Sequence, residues 1–230
     1  MAPADALTRS RIFDGLTDAE RALWLGQSAT RQLARGETLA RQGEPARHLV
    51  LVESGFLKVL QVTAEGTELI VRFVSPGEPF GGVVLLGAAP YPVTAIATQP
   101  TVVRCWTRET VASLVAETPQ VSVNVMREMA THMTDALTRV RELTTARVGP
   151  RLAHTLLRLM RQCGERTADG VLITQPLTRQ ELADLTGTTL YTVSRTLTQW
   201  QARGLIETRK RLLLVKSQQR LLDLAGSDDE

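Results

Sequence analysis

The sequence predicts an α+β protein of two domains joined by a long helix: an antiparallel β-roll or barrel, then a helix-turn-helix with a β-hairpin wing. Three observations carry that reading. Short apolar runs recur between glycines from Arg35 to Trp106, the punctuation of a small all-β roll. From Met126 to Leu143 apolar residues fall at steps of three and four, the period of a helix with one continuous seam. Residues 176–216, PLTRQELADLTGTTLYTVSRTLTQWQARGLIETRKRLLLVK, hold two short helices around a glycine turn and then a basic hairpin.

A chain of 230 residues, 43% apolar, is long enough for two buried cores. No apolar run reaches membrane-span length, and the start MAPADALTRSRIF lacks the apolar centre of a signal peptide. A cytoplasmic protein without membrane contact is expected. Cys105 and Cys163 are isolated, which supports neither a disulfide nor an iron–sulfur cluster. Metal-ligand spacing, a Walker or Rossmann loop and a nucleophile–base pair are all missing from the sequence, so no enzyme, catalytic residue or metal site is expected. The net charge of +3 is unevenly spread. Residues 147–230 carry 13 Arg/Lys against 9 Asp/Glu, a net of +4, whereas residues 1–146 carry 14 against 15. Positive charge therefore collects in the half with the helix-turn-helix, as a nucleic-acid partner requires.

In chain order, residues 12–34 read as a helical lead-in, with Thr17 capping Asp18-Ala19-Glu20. A domain over 12–117 follows from the strands His48–Val52, Phe56–Leu60, Leu69–Val74 and Thr101–Trp106. Ser54-Gly55 and Ala64-Glu65-Gly66 supply hairpin turns. Phe80-Gly81-Gly82 with Val83, and Tyr91-Pro92-Val93-Thr94, break the strand pattern. They are the residues placed to shape an effector pocket. Thr107 caps a short helix to Ala116, with Glu109 in its first turn. Thr118-Pro119 opens the long helix, assigned to 118–148. Its seam is Met126, Met129, Met133, Ala136, Val140 and Leu143, easier to bury against a second copy than on its own domain, so a parallel homodimer is expected. Gly149-Pro150 marks a hinge, and a domain over 149–226 begins.

In that domain Thr178 and Glu181 form a capping box, Leu177 and Leu182 a staple, and Gly187 ends the first helix. Thr188 or Thr189 caps the second helix, whose inward face is Val193, Leu197 and Trp200. Leu190, Tyr191, Ser194, Arg195 and Thr198 then face outward, towards a major groove. Arg195 can bond a guanine edge bidentately. Thr178, Arg179, Thr189 and Thr192 sit near helix N-termini, where phosphate oxygens are favoured. Arg209, Lys210 and Arg211 form the tip of the wing. Double-stranded DNA is the expected partner.

The whole chain resembles the family of bacterial transcription regulators typified by the cyclic-AMP receptor protein and the fumarate-nitrate reduction regulator. The resemblance rests on Gly43-Glu44, Leu51-Val52-Glu53-Ser54-Gly55 with Lys58-Val59, Pro76-Gly77-Glu78 with Phe80-Gly81, Tyr91-Pro92-Val93-Thr94-Ala95, and Thr192-Val193-Ser194-Arg195. It covers residues 12–225 in order. It implies a double-stranded, cyclic-nucleotide-binding-like β-roll, a dimerisation helix, a winged helix-turn-helix on a palindromic promoter site, and RNA polymerase as a partner.

Departures from the family pattern bear on control. Cyclic-AMP binders of this family place a glutamate after Phe-Gly and an arginine about ten residues later; here Gly82 and Pro92 stand there. No Arg or Lys occurs between Phe73 and Val103, and a buried phosphate without a cation is very unfavourable. Control by cyclic AMP is not expected. The cysteine cluster of the oxygen sensors is missing too. Tyr191 replaces a glutamate that reads cytosine in many members, and Leu190 replaces an arginine of the cyclic-AMP receptor. Haem, used by some relatives, has His48, His132 and His154 as candidate ligands, with Met126, Met129 and Met133 on the long helix. No cofactor is the leading expectation, with some other small effector open. A ligand-binding module acting on a protein partner is the rival reading.

Overall fold

The computed structural model describes residues 3–87 and 89–226, with side chains from residue 6 onward; the acidic tail Asp228, Asp229 and Glu230 lies outside the described residues. The chain divides into two compact units, Met1–Asp135 and Ala136–Glu230.

The first unit opens with helix α1 (Pro3–Thr8), a 3-10 turn over Arg11–Phe13 and helix α2 (Asp18–Gly26). Thr17 caps α2 as expected, accepting from the Glu20 amide while Glu20 reaches back to the Thr17 amide. The lead-in is shorter than predicted, because Ala29–Leu33 is already a strand, β1. Seven more follow: β2 (Thr38–Ala40), β3 (His48–Ser54), β4 (Leu57–Val62), β5 (Glu68–Val74), β6 (Pro79–Phe80), β7 (Thr94–Ala97) and β8 (Thr101–Thr107). They form two four-stranded antiparallel sheets, ordered β1-β8-β3-β6 and β2-β7-β4-β5. Ala64-Glu65-Gly66 joins the paired strands β4 and β5. Ser54-Gly55 does not make a hairpin, since β3 and β4 belong to different sheets. Instead Gly55, at φ +82°, crosses between them where a Cβ would come 2.7 Å from the Pro100 carbonyl oxygen.

Strand β3 shows why the roll holds together. Alternate residues point to opposite faces. Val50 and Val52 join the core between the sheets, and Leu49 and Leu51 join a second core with Phe13, Trp24 and Trp106. The three rings meet edge-on or tilted at centroid distances of 5.9, 6.3 and 6.5 Å, a favourable geometry for aromatic quadrupoles. The Trp106 indole donates to the Trp24 carbonyl and the Trp24 indole to Thr118 Oγ1. That second bond corrects an expectation. The Thr118 hydroxyl closes helix α3 (Arg108–Glu117) by donating to the Leu114 carbonyl, and helix α4 starts at Gln120.

Helix α4 runs over Gln120–Thr145. Val121 and Val125 are buried in the second core of the first unit. The predicted seam is exposed: Met126 54%, Met129 39%, Met133 66%, Val140 59% and Leu143 40%, with Ala136 exposed too. Val123 and Leu137, also exposed, were not in the predicted seam and extend it.

The second unit contains the last turns of α4, then α5 (Val148–Cys163), strands β9 (Gly164–Thr167) and β10 (Gly170–Ile173), α6 (Arg179–Thr186), α7 (Leu190–Ala202), β11 (Ile206–Arg209), β12 (Leu212–Val215) and α8 (Gln218–Gly226). Gly149-Pro150 is not the break. Arg147 is the N-cap position of α5, without a side-chain cap bond, so both residues lie in its first turn, where proline removes only an amide that lacks a helical partner anyway. Leu152, Ala153, Leu156, Leu159 and Met160 bury one face of α5. A clamp ties α4 to it: Arg158 Nη1 bonds both oxygens of the buried Glu142 at 2.8 Å, and its Nη2 donates to Thr155 Oγ1 at 3.1 Å. The β9–β10 hairpin extends the wing to a four-stranded sheet, β11-β12-β10-β9.

Candidate nucleic-acid interface

The reading head is set by local chemistry. Thr178 and Glu181 make both halves of the capping box, which helps fix where α6 begins. Gly187 takes φ +59° and closes α6. A side chain there would also meet Leu143 of α4, whose Cδ2 is 2.5 Å from an added Cβ. Thr189 then caps α7, accepting from the Thr192 amide. Val193, Leu197 and Trp200 are buried at 0%, 1% and 4%, while Leu190 and Tyr191 stand 47% and 75% exposed. Arg195 and Thr198 share the exposed arc and Ser194 is half-buried at its edge. The outward face of α7 is therefore Leu190, Tyr191, Ser194, Arg195 and Thr198, the set expected to meet base edges.

The residues expected to bind phosphate divide into two groups. Thr189 and Thr192 share one hydroxyl bond at 2.9 Å, which leaves the pair a second hydroxyl hydrogen to give outward. The Thr178 hydroxyl is instead spent on Glu181, donating to its carboxylate at 2.9 Å. Arg179 is half-buried and donates to the Ser194 carbonyl at 3.3 Å, bracing α6 against α7. Arg209 is likewise committed, to Glu207 at 2.8 Å and Asp169 at 3.1 Å. Hydrogen bonds from Arg209 and then Lys216 hold the Glu207 carboxyl down to about 2, so this wing acid stays ionised. Lys210 and Arg211 are exposed at the tip, Lys210 in the left-handed region at φ +58°. They rim a cleft of about 240 Å³ with Arg179 and Thr178. The cationic edge is thus narrower than the run Arg209-Lys210-Arg211 suggests.

In the first unit Phe80, Tyr91 and Thr94 of the predicted effector residues are buried, and Gly81, Gly82, Val83 and Val93 are half-buried. Phe80 and Tyr91 stack at 5.6 Å and are 5% exposed each, packed between the sheets with Val83 and Val93 beside them. The Tyr91 hydroxyl accepts from the His48 amide and donates to the His48 carbonyl, both at 3.1 Å. Gly81 sits against that same carbonyl, and an added Cβ at Gly82 would meet Val125 Cγ1 at 2.8 Å. Thr94 accepts from the Gln42 amide, and Pro92 is exposed.

Nearby cations are paired. Arg72 donates to the carbonyls of Phe73 and Pro79 and lies 3.6 Å from Glu78. Burial raises the Glu78 carboxyl despite Arg72, and lowers the Arg72 guanidinium. Arg104 bonds Glu53 at 2.8 Å. Of the three histidines, His48 opens β3 exposed, and His132 is pushed down to about 4 by burial and then by Arg72. His154 stands 3.7 Å from Glu142. Among the described residues no cluster of three metal-ligating side chains occurs.

Comparison with known proteins agrees with this architecture. A family model described as the cyclic nucleotide-binding domain matches residues 30–118, and one described as the Crp-like helix-turn-helix domain matches residues 150–224. The chain is 28% identical over 219 residues, 94% of its length and 97% of the relative's, to a CRP-like cAMP-activated global transcriptional regulator of Mycobacterium tuberculosis. It is 31% identical over 196 residues, 85% of its length and 80% of the relative's, to the transcriptional activator protein FnrA of Stutzerimonas stutzeri. Among solved structures it resembles FixK2 of Bradyrhizobium japonicum, with a TM-score of 0.76 at 25% identity, covering 87% of this chain and 98% of that one. With a β-roll, a long helix and a winged helix-turn-helix in that order, the chain belongs to the Crp/Fnr family of DNA-binding transcription regulators.

Proposed function

We propose that the protein acts as a homodimer, joined along α4, that binds a palindromic promoter site in the cytoplasm and works by binding rather than catalysis, with RNA polymerase as its protein partner. One observation carries the dimer: apolar side chains at helical spacing stay exposed along α4, a seam that a second copy buries. Two α7 helices brought together by a two-fold axis read inverted half-sites. Support for promoter work comes from the relatives named as transcriptional regulators and activators.

Within each half-site Arg195 reads a base and the wing tip holds phosphate. Losing Arg195 is expected to cost about 1–3 kcal/mol and relax preference at one position. Lys210→Ala is expected to weaken all sequences alike and lower the salt slope by about one unit. Arg209→Ala should change that slope less, because its charge is already met by Glu207 and Asp169. Binding selection on a randomised palindrome at two salt concentrations separates these effects. Unchanged base preference in Arg195→Ala contradicts the groove assignment.

Cyclic AMP is not the effector in this reading, although it activates a relative. Gly82 offers no carboxylate for a ribose hydroxyl, Pro92 no cation for a phosphate, and Arg72 and Arg104 are engaged by Glu78 and Glu53. Millimolar cyclic AMP is expected to leave DNA affinity and melting temperature unchanged. A micromolar site in calorimetric titration contradicts this.

A further inference from the structure

Resting on the assignment of α7 as the reading helix, we infer that Leu190 and Tyr191 read thymine methyl groups in the major groove. The half-site is then specified by T·A pairs where these two residues face it. Leu190 is the first residue of α7, directly after the Thr189 cap, at the end of a recognition helix that makes base contacts. It is 47% exposed and Tyr191 is 75% exposed, on the arc that Val193, Leu197 and Trp200 leave outward. A leucine side chain neither donates nor accepts a hydrogen bond. Among major-groove edges only thymine presents an apolar group, its C5-methyl. Facing leucine with guanine or cytosine would strip water from their polar edges and return no bond, which is unfavourable. Leu190 thus selects thymine both by contact and by excluding the alternatives.

Tyr191 sits four residues before Arg195, one helical turn away on the same face. Its ring offers apolar area to a second methyl beside the pair that Arg195 reads. Leu190 can read only by apolar contact, whereas Tyr191 adds ring area beside a hydroxyl that can also donate or accept.

The test uses full-length protein and the duplex recovered by binding selection. Each thymine is replaced in turn by deoxyuridine, symmetrically in both half-sites, which removes the methyl and keeps the pairing. At one or two positions per half-site wild-type affinity is expected to fall about fourfold for each methyl lost. Leu190→Ala or Tyr191→Ala should erase the effect at its own position and leave the other intact, with unchanged melting because both residues lie on the surface. The inference is overturned if uracil is tolerated everywhere while the thymine duplex still binds. It is also overturned if the uracil penalty persists in both variants, since the methyl then acts through DNA shape. A selection that enriches no duplex at all would instead remove the DNA-reading assignment beneath it.

Discussion

Met133→Glu combined with Val140→Glu is expected to turn the dimer into monomers and to weaken binding to a palindrome by about 100- to 10,000-fold. The two side chains are 66% and 59% exposed in the single chain and lie seven residues apart on the seam. Burying such a side chain contributes about 1.5–3 kcal/mol, and two-fold symmetry counts each one twice. Substitution by glutamate removes that contribution and brings like charges from both copies into a low-dielectric contact. The DNA effect follows because a monomer engages one half-site and loses the gain from linking two binding events. Sedimentation at micromolar concentration, paired with binding to the palindrome, measures both. An unchanged dimer contradicts the seam, and full DNA affinity in a monomer contradicts the two-fold reading.

Arg158→Met is expected to cost the second unit up to about 3–5 kcal/mol, the penalty for taking a buried carboxylate's closest cation away, with His154 left 3.7 Å from it. Glu142 is 5% exposed and receives both of its 2.8 Å bonds from one guanidinium nitrogen. Arg139, whose guanidinium is lowered by burial and then by Arg158 against the attraction of Glu142, donates to the Asp184 carbonyl near the end of α6. Removing both charges in Arg158→Met with Glu142→Leu should recover most of the stability, because an apolar pair of similar volume replaces a buried ion pair at little net cost. Amide exchange across α5 reads the change within its own unit. A loss below about 1 kcal/mol in the single variant, or no recovery in the double, contradicts the role of the clamp.

Legibility in the sequence follows the range of the determining chemistry. Helices α6 and α7 were readable because Thr178 with Glu181, Gly187 and Thr189 act within four residues of where they stand. The wing was readable from its two apolar runs. Strand β1 was not: ATRQL buries only Leu33, so it has no period, and its pairing with β8 lies some seventy residues on. Strand β2 has three residues, too few for any pattern. Ser54-Gly55 signals a chain reversal, but local turn chemistry does not say which sheet the next strand joins. Among site residues the same limit holds. Arg209 reads as a phosphate ligand, and its bond to Asp169, forty residues earlier, has no local signal. Phe80 and Tyr91 read as pocket residues, but their mutual stacking is set by chain eleven residues apart and has no local signal.

Selection of binding sites from random duplex DNA by the unmodified full-length protein tests the central claim most directly. The account predicts an inverted repeat whose half-site centres lie about 34–36 Å apart, one helical turn or a small multiple of it. Each half is expected to carry a guanine for Arg195 and thymines for Leu190 and Tyr191. Recovery of a single unrepeated motif, a direct repeat, or no enriched sequence at all would contradict it.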